Sequence, residues 1–227
     1  MGVNMWKLWL SFSLITVVII LVLVFIFIAK QKTRKKTTIG ARFEALIDEK
    51  LTIYAKNNGF KYLKGGLFKY SQDQYFEIDG ILIGNKAVYI VEDKYYIGKL
   101  FGVSYADKLT LKIGNKEKNI NNPLLQNFKH IKHFYNMCGF NFPVFSLLIL
   151  PSETSYNIDQ LDSWSIIANE DKINSALDTV SNDLADEPDL SYDVIKAVID
   201  AVNLGRATSL KDISKFNKII HEDKNAN

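Results

Sequence analysis

The stretch Ile78 to Lys94 carries an aspartate, a glutamate and a lysine whose combination suits metal-assisted hydrolysis of a phosphodiester bond. Asp79 and Glu92 offer the hard oxygen ligands that Mg²⁺ or Mn²⁺ prefers. A bound ion polarises a phosphoryl oxygen and lowers the pKa of a water molecule, and Lys94 would orient that water or offset charge on the phosphate. A Glu-x-Lys pair at a strand end is also the usual form of a solvated ion pair, so both interpretations stay open at this point.

A β-hairpin would bring these three side chains together. Two apolar runs flank Gly84-Asn85, a dipeptide typical of a two-residue turn, and this register sets Asp79 diagonally across from Glu92. Side chains alternate along a strand and cross-strand partners share a face, so Asp79, Glu92 and Lys94 all project to one side. A turn one residue later, at Asn85-Lys86, would place Asp79 directly opposite Glu92. Only a three-residue loop would disperse the cluster.

The first part of the chain is predicted to cross a membrane once. Leu8 to Ala29 contains no charged residue, and at about 1.5 Å rise per residue it would extend roughly 33 Å as a helix, enough to span a bilayer. Basic residues are concentrated between 30 and 36, whereas only Lys7 precedes the stretch, and this asymmetry puts the C-terminal part in the cytoplasm. We therefore expect residues 1–36 to be a single-pass anchor in the cell membrane with a basic cytoplasmic flank.

Composition limits the remaining classes. The single cysteine, Cys138, excludes an intrachain disulfide and offers no zinc-site spacing. The apolar fraction of 48% suits a globular domain once the first thirty residues are set aside. Residues 40–150 are net basic and residues 151–227 are net acidic. The middle segment is therefore the part suited to a polyanionic partner such as nucleic acid, although its net charge is modest.

Apolar periodicity predicts an α/β arrangement for the middle segment. Helical spacing runs from Gly40 to Asn58, and a second helix is predicted from Asn122-Pro123 to Gly139. The hairpin strands are apolar on both faces, which is typical of a sheet covered by helices on both sides. The predicted strands are Phe60 to Tyr70, Tyr75 to Gly84, Ala87 to Val91, Leu100 to Val103, Leu109 to Ile113 and Phe142 to Leu150.

The second predicted helix carries a polar stripe of Gln126, His130 and His133 beside its apolar one. Two histidines on one face raise the possibility of zinc. No further ligand recurs nearby, so solvated or phosphate-contacting histidines are the favoured interpretation.

Beyond Pro151 the chain becomes acidic and mainly helical. A strand is possible at Trp164 to Ala168, and helices are predicted for Ser191 to Leu204 and Ser209 to Ile220, the latter with a Ser209-x-x-Asp212 capping signal. The apolar faces of these helices would either pack on the preceding domain or bind a protein partner, and packing is the favoured prediction.

Together these residues resemble the NERD (nuclease-related) domain. The resemblance is carried by Gly40 with Glu44 opening a helix, Asp79, Glu92-Asp93-Lys94 followed by Gly98, and Asn122-Pro123 with Gln126 in a helix. It covers residues 37–150, about half of the chain, and leaves 151–227 as an extension. Each motif is short, so the resemblance is specific only in combination.

The resemblance implies a restriction-endonuclease-like fold, in which a mixed sheet is flanked by helices and the core has an αβββαβ order around a Mg²⁺ site. Asp79 and Glu92, with Glu44, would bind the Mg²⁺ or Mn²⁺ ion. Lys94 would serve the attacking water, and Gln126 would complete the catalytic set. The expected function is that of a membrane-anchored nuclease acting on DNA, or RNA as the lesser expectation. The alternatives are a non-catalytic nucleic-acid-binding module or an interaction scaffold on the same fold.

Overall fold

The computed structural model describes residues 18–22 and 38–226, with side chains up to Ile219. Residues up to Arg42 and residues Phe43–Asn227 belong to two separate compact units. Within the described residues, no helix combines the length and the apolar character that a membrane crossing requires. The predicted span, residues 8–29, lies outside the described part of the chain apart from the helical residues 18–22, so the anchor stays a prediction.

The described chain from residue 38 onward alternates helices and strands. Its helices are α1 (38–58, counted from the first residue described there), α2 (Pro123–Cys138), α3 (Ile173–Asp183), α4 (Tyr192–Gly205) and α5 (Leu210–Ala226). Its strands are β1 (Lys61–Ser71), β2 (Gln74–Ile83), β3 (Val88–Asp93), β4 (Lys99–Val103), β5 (Lys108–Ile113), β6 (Lys116–Asn121), β7 (Val144–Leu150), β8 (Ser155–Asp159) and β9 (Ser165–Asn169).

Two mixed sheets organise these strands. The five-stranded sheet has the order β1-β2-β3-β7-β9, with antiparallel pairing from β1 to β3 and parallel pairing of β3 with β7 and of β7 with β9. The four-stranded sheet has the order β6-β5-β4-β8. The sequence of elements α1-β1-β2-β3, then α2-β7, has the αβββαβ order that the resemblance implied, with β4 to β6 inserted before α2.

Helices cover both faces of the five-stranded sheet, as the sequence predicted. On one face α1 and α3 pack against alternate residues of β2, β3 and β7. On the other face α2 and α4 pack against the intervening residues, with Val198 and Val202 of α4 fully buried. The prediction that the C-terminal helices pack on the preceding domain is thus confirmed for α4, and a protein partner stays a prediction.

The β2–β3 hairpin adopts the second of the two registers considered. Ile83 pairs with Val88 and Gly80 with Val91, while the Gly84 amide donates to Ala87 O at 2.9 Å. The turn is therefore at Asn85-Lys86, and the favoured turn at Gly84-Asn85 is wrong. Gly84 has no positive φ, and a β-carbon there would lie 2.7 Å from the ring of Phe60. This glycine serves close packing rather than the turn.

Helix α2 begins and ends as predicted. The Asn122 side chain accepts a hydrogen bond from the Leu124 amide at 2.9 Å, and Gly139 ends the helix at φ 78° with its amide bonded to Tyr135 O. Asn127 is fully buried and donates to Ile90 O of β3 at 2.8 Å and to Ser146 Oγ of β7 at 2.9 Å. These bonds fix the helix to the central strands of the sheet.

Three elements were not predicted. Strands β6 and β8 are polar and largely exposed, so they lack the apolar runs on which a strand prediction depends. Helix α3 is short and has no side-chain N-cap.

The predicted strand near Trp164 is confirmed as β9, which extends the five-stranded sheet beyond β7. Residues after Pro151 therefore share the core of the preceding domain.

Candidate active site

The middle of β2 and the end of β3 bring three of the predicted site residues together. The observed register sets Asp79 opposite Glu92, and Glu92 and Lys94 project to the same face of the sheet, toward α2. Glu92 is only 1% exposed and forms an ion pair with the Nζ of Lys94. A carboxylate this deeply buried needs a cation beside it. Lys94 supplies that charge.

The ion pair with Glu92 keeps Lys94 charged. Burial acts to lower the pKa of Lys94, but the neighbouring carboxylates, Glu92 first, outweigh it and raise the pKa above its ordinary value. The ammonium is therefore protonated at neutral pH. Of the two roles considered for this residue, orienting the water and offsetting charge on the phosphate, the second depends directly on this positive charge.

Asp79 lies where burial and like charges oppose its ionisation. Its Oδ2 accepts a hydrogen bond from the Asp93 amide at 2.7 Å. Burial, followed by the charge of Glu92, raises the pKa of Asp79 to about 7, against the lowering effects of the Asp93 amide and of Lys94. A divalent cation beside this carboxylate would lower the pKa of Asp79, because the charge of the cation favours the ionised form.

Asp93 is an acidic residue for which no role was predicted. Its Oδ1 is buried without a hydrogen-bond partner, and burial, then the charge of Asp79, raises its pKa to about 9. Burial and the neighbouring carboxylate therefore favour the protonated form of this side chain. The position of Asp93 between Glu92 and Lys94 could have indicated a functional role. The alternation of side chains along β3, however, directs Asp93 to the opposite face of the sheet from Glu92 and Lys94.

The two flanking helices hold the other predicted residues. Glu44 lies exposed on α1, and loss of hydration, followed by the charges of Asp48 and Glu77, raises its pKa. Its charge in turn contributes to the raised pKa of Asp79. Gln126 is exposed on α2, with its Nε2 3.4 Å from the Nε2 of His130. The structure therefore places Gln126 in the site cleft and Glu44 within electrostatic reach of it.

His130 is the functional candidate that sequence analysis left undecided. Its Nε2 lies 3.4 Å from Glu92 Oε2, and its side chain is 14% exposed. Its Nδ1 is buried without a hydrogen-bond partner. The polar stripe on α2 indicated His130 in the sequence. Its contact with a buried carboxylate could not be predicted from the spacing of that stripe.

An open cleft of about 390 Å³ joins these groups. Asp79 and Lys94 lie on its sheet side, and α2 contributes Gln126, Lys129 and His130. Phe216 of α5 also lines the cleft. The cleft thus combines carboxylates with cations, which is the mixture that a phosphate ester and a hydrated metal ion require.

The donor set fits Mg²⁺ held by two carboxylates better than a cage of three. Among residues 18–22 and 38–226, no group of three or more His, Cys, Asp or Glu is close enough together to hold a metal ion. Mg²⁺ commonly takes only one or two carboxylates, with water and substrate phosphate completing its shell. Asp79 and Glu92 supply two such carboxylates: Asp79 lines the open cleft, whereas Glu92 is 1% exposed and is paired with Lys94, which lines the cleft.

A glycine and an arginine fix the backbone behind Asp79. Gly65 of β1 lies opposite Asp79, and a β-carbon there would fall 2.1 Å from the main-chain oxygens of Ile78 and Asp79. Arg206 donates from Nη1 to Gly65 O at 2.8 Å and from Nη2 to Lys64 O at 2.7 Å. The segment after α4 therefore braces the edge strand next to the site.

Comparison with known proteins agrees with the resemblance found in the sequence. Residues 39–151 match the family model described as nuclease-related domain. An uncharacterized protein of Bacillus anthracis is 41% identical over 56 residues, which are 25% of this chain and 26% of that protein. The matched stretch thus spans about a quarter of that relative. No solved structure matches the chain significantly.

Proposed function

Because residues 39–151 belong to the nuclease-related domain family, we propose that the chain is a Mg²⁺- or Mn²⁺-dependent nuclease that hydrolyses phosphodiester bonds of DNA. The observation that carries this proposal is the convergence of Asp79, Glu92 and Lys94 beside one open cleft. The order of elements supports a restriction-endonuclease-like, PD-(D/E)XK type of core.

Each site residue has a distinct role in this proposal. Asp79 and Glu92 would hold the ion, and Glu44 would add negative charge from α1. When bound, the ion would polarise the phosphoryl oxygen and lower the pKa of a water molecule. Lys94 remains protonated and stabilises the charge that develops on the phosphorus oxygens as the water oxygen bonds to phosphorus and the bond to the leaving sugar oxygen breaks. Gln126 and His130 would position the phosphate or the water from α2.

A module that only binds nucleic acid explains the site less well. Two carboxylates beside the cleft repel phosphate unless a cation lies between them. A pure binder gains nothing from that repulsion, whereas a metal-dependent hydrolase requires the carboxylates.

The proposal predicts DNA cleavage by the purified full chain in millimolar Mg²⁺ or Mn²⁺ and none in EDTA. Linear, circular and single-stranded DNA, together with RNA, should be incubated in parallel, so that the products show which polymer is cut. Retention of full activity in EDTA would exclude a metal-dependent mechanism. Intact substrates under every metal condition, from a protein shown to be folded, would exclude a nuclease.

We also propose that residues 8–29 anchor this domain at the cytoplasmic face of the cell membrane. The basic residues after the apolar stretch support that orientation. A reporter fused after Asn227 should therefore be active in the cytoplasm. Protease access to the C-terminal domain from outside intact cells would contradict this topology.

A further inference from the structure

We propose that the cleft accepts single-stranded DNA, one nucleotide at a time beside Asp79, and excludes the intact duplex. This inference rests on the proposed nuclease function and specifies its substrate. It is based on the size of the cleft, the aromatic side chains in its wall and the way in which α5 closes one side.

The cleft has the size of a single nucleotide. Its volume of about 390 Å³ is near the lower end of the roughly 300–1,000 Å³ of pockets that enclose one small molecule. A base within a B-form duplex is paired and stacked, so it could enter this cleft only after being extruded from the stack. A phosphate of the duplex would have to reach Asp79 from outside, past the walls of the cleft.

Aromatic side chains line part of the cleft. Tyr75, His133 and Phe216 are half-buried there, whereas Phe76, which also borders the cleft, is only 3% exposed. The rings of Phe76 and His133 lie 5.6 Å apart and are held by Tyr70, which stacks on His133 at 4.4 Å. Aromatic faces beside a basic groove are the usual means of binding unpaired bases, because every base has a π-face that only an unstacked strand offers.

The cations of the cleft suit the backbone of the same strand. Lys94 and Lys129 line the cleft with His130, alongside the carboxylates of Glu77 and Asp79, and Lys129 is exposed. A nucleotide with its base on Tyr75 or Phe216 would have its phosphate in the same cleft as these cations and Asp79. Aromatic side chains and cations in one cleft suit the base and the phosphate of a nucleotide.

Helix α5 holds Phe216 in place through polar contacts at the β1–β2 turn. Tyr75 donates its hydroxyl hydrogen to Asp212 Oδ1 at 2.7 Å, and Lys215 Nζ pairs with Asp73 Oδ1 at 2.5 Å. Asp212 and Phe216 are four residues apart and share one face of the helix. Among residues with described side chains, none of α5 belongs to the hydrophobic core clusters. Phe216 is thus presented to the cleft rather than to the core.

The test is fluorescence anisotropy with the full chain in EDTA, where no cleavage occurs. A labelled single-stranded oligonucleotide and the same sequence as a blunt duplex should be compared. We expect the wild type to bind the single strand at least tenfold more tightly. Phe216→Leu keeps an apolar side chain but removes the ring, and it should weaken single-strand binding roughly 5- to 150-fold with little change for the duplex. The matched control is Ile213→Ala, on the same helix and 40% exposed, which should bind like the wild type.

Equal or tighter binding of the duplex, or unchanged single-strand binding by Phe216→Leu, would overturn this inference. Cleavage of duplex but not of single strands in Mg²⁺ would do the same and leave the proposed nuclease function intact. Failure to bind or cleave any DNA would refute the proposed function, and this inference with it.

Discussion

Replacement of Lys94 by alanine should lower the rate of DNA cleavage by roughly 10²- to 10³-fold, the usual cost of losing a group that stabilises transition-state charge. The Nζ of Lys94 pairs with Glu92 beside the cleft, and the raised pKa keeps it charged. Its contribution is larger in the transition state than in the bound substrate, so the affinity for DNA should change little. Single-turnover cleavage and anisotropy measure the two effects separately.

A structural role for Lys94 makes a different prediction, because the lysine also neutralises the buried Glu92. Removing one member of a buried pair costs on the order of 3–5 kcal/mol of stability. Lys94→Arg keeps a cation in place and should fold, yet cleave slowly because the guanidinium has a different shape and reach. Lys108→Ala, an exposed lysine on β5, serves as a control that should match the wild type. Wild-type cleavage by a folded Lys94→Ala or Lys94→Arg protein would contradict a catalytic role.

Replacement of Asp79 by asparagine should abolish cleavage and yet leave the metal-free protein at least as stable as the wild type. Burial and the charge of Glu92 raise the pKa of Asp79, so its ionised form is unfavourable in the folded state. Asparagine removes that charge at nearly constant shape. In EDTA at pH 8 the mutant should gain on the order of 1–2 kcal/mol, or roughly 2 to 8 °C in Tm.

The stability of the metal-free protein should also depend on pH through Asp79. The folded-state pKa of about 7 is higher than the ordinary value of 3.8, so the folded protein binds this proton more tightly than the unfolded chain does. The resulting stabilisation is complete below about pH 4 and is lost as the pH rises through about 7. Thermal melts in EDTA between pH 5 and 8 should therefore show a steeper decline for the wild type than for Asp79→Asn. A mutant that melts well below the wild type in EDTA would instead mark Asp79 as a structural residue.

Much of the site could be predicted because its residues lie on regular elements. Period-two alternation placed Asp79, Glu92 and Lys94 on one face whichever of the two turns was used, and the Asn-Pro signal located α2. The register itself could not be decided by turn propensity. Gly84 is buried against Phe60, a contact between residues distant in sequence, and this tertiary packing outweighed the local preference.

Other features depended on contacts that no local pattern encodes. The pairing of His130 with Glu92 requires α2 to lie across β3, which is fixed by the buried Asn127. The bracing of Gly65 by Arg206 joins two segments far apart in the chain. Exposed polar strands such as β6 carry no apolar periodicity. Their polar composition makes them both exposed in the fold and undetectable by a pattern of apolar residues.

Direct binding of Mn²⁺, monitored by electron paramagnetic resonance on the full chain, tests the central claim most directly, since that claim is a divalent-metal site at Asp79 and Glu92. The wild type should bind at least one Mn²⁺ that Mg²⁺ displaces, more tightly as the pH rises through about 7, because the ligand must be ionised. Asp79→Asn should lose that binding while remaining folded. Equal Mn²⁺ binding by the wild type and Asp79→Asn, or none by either, would contradict the account.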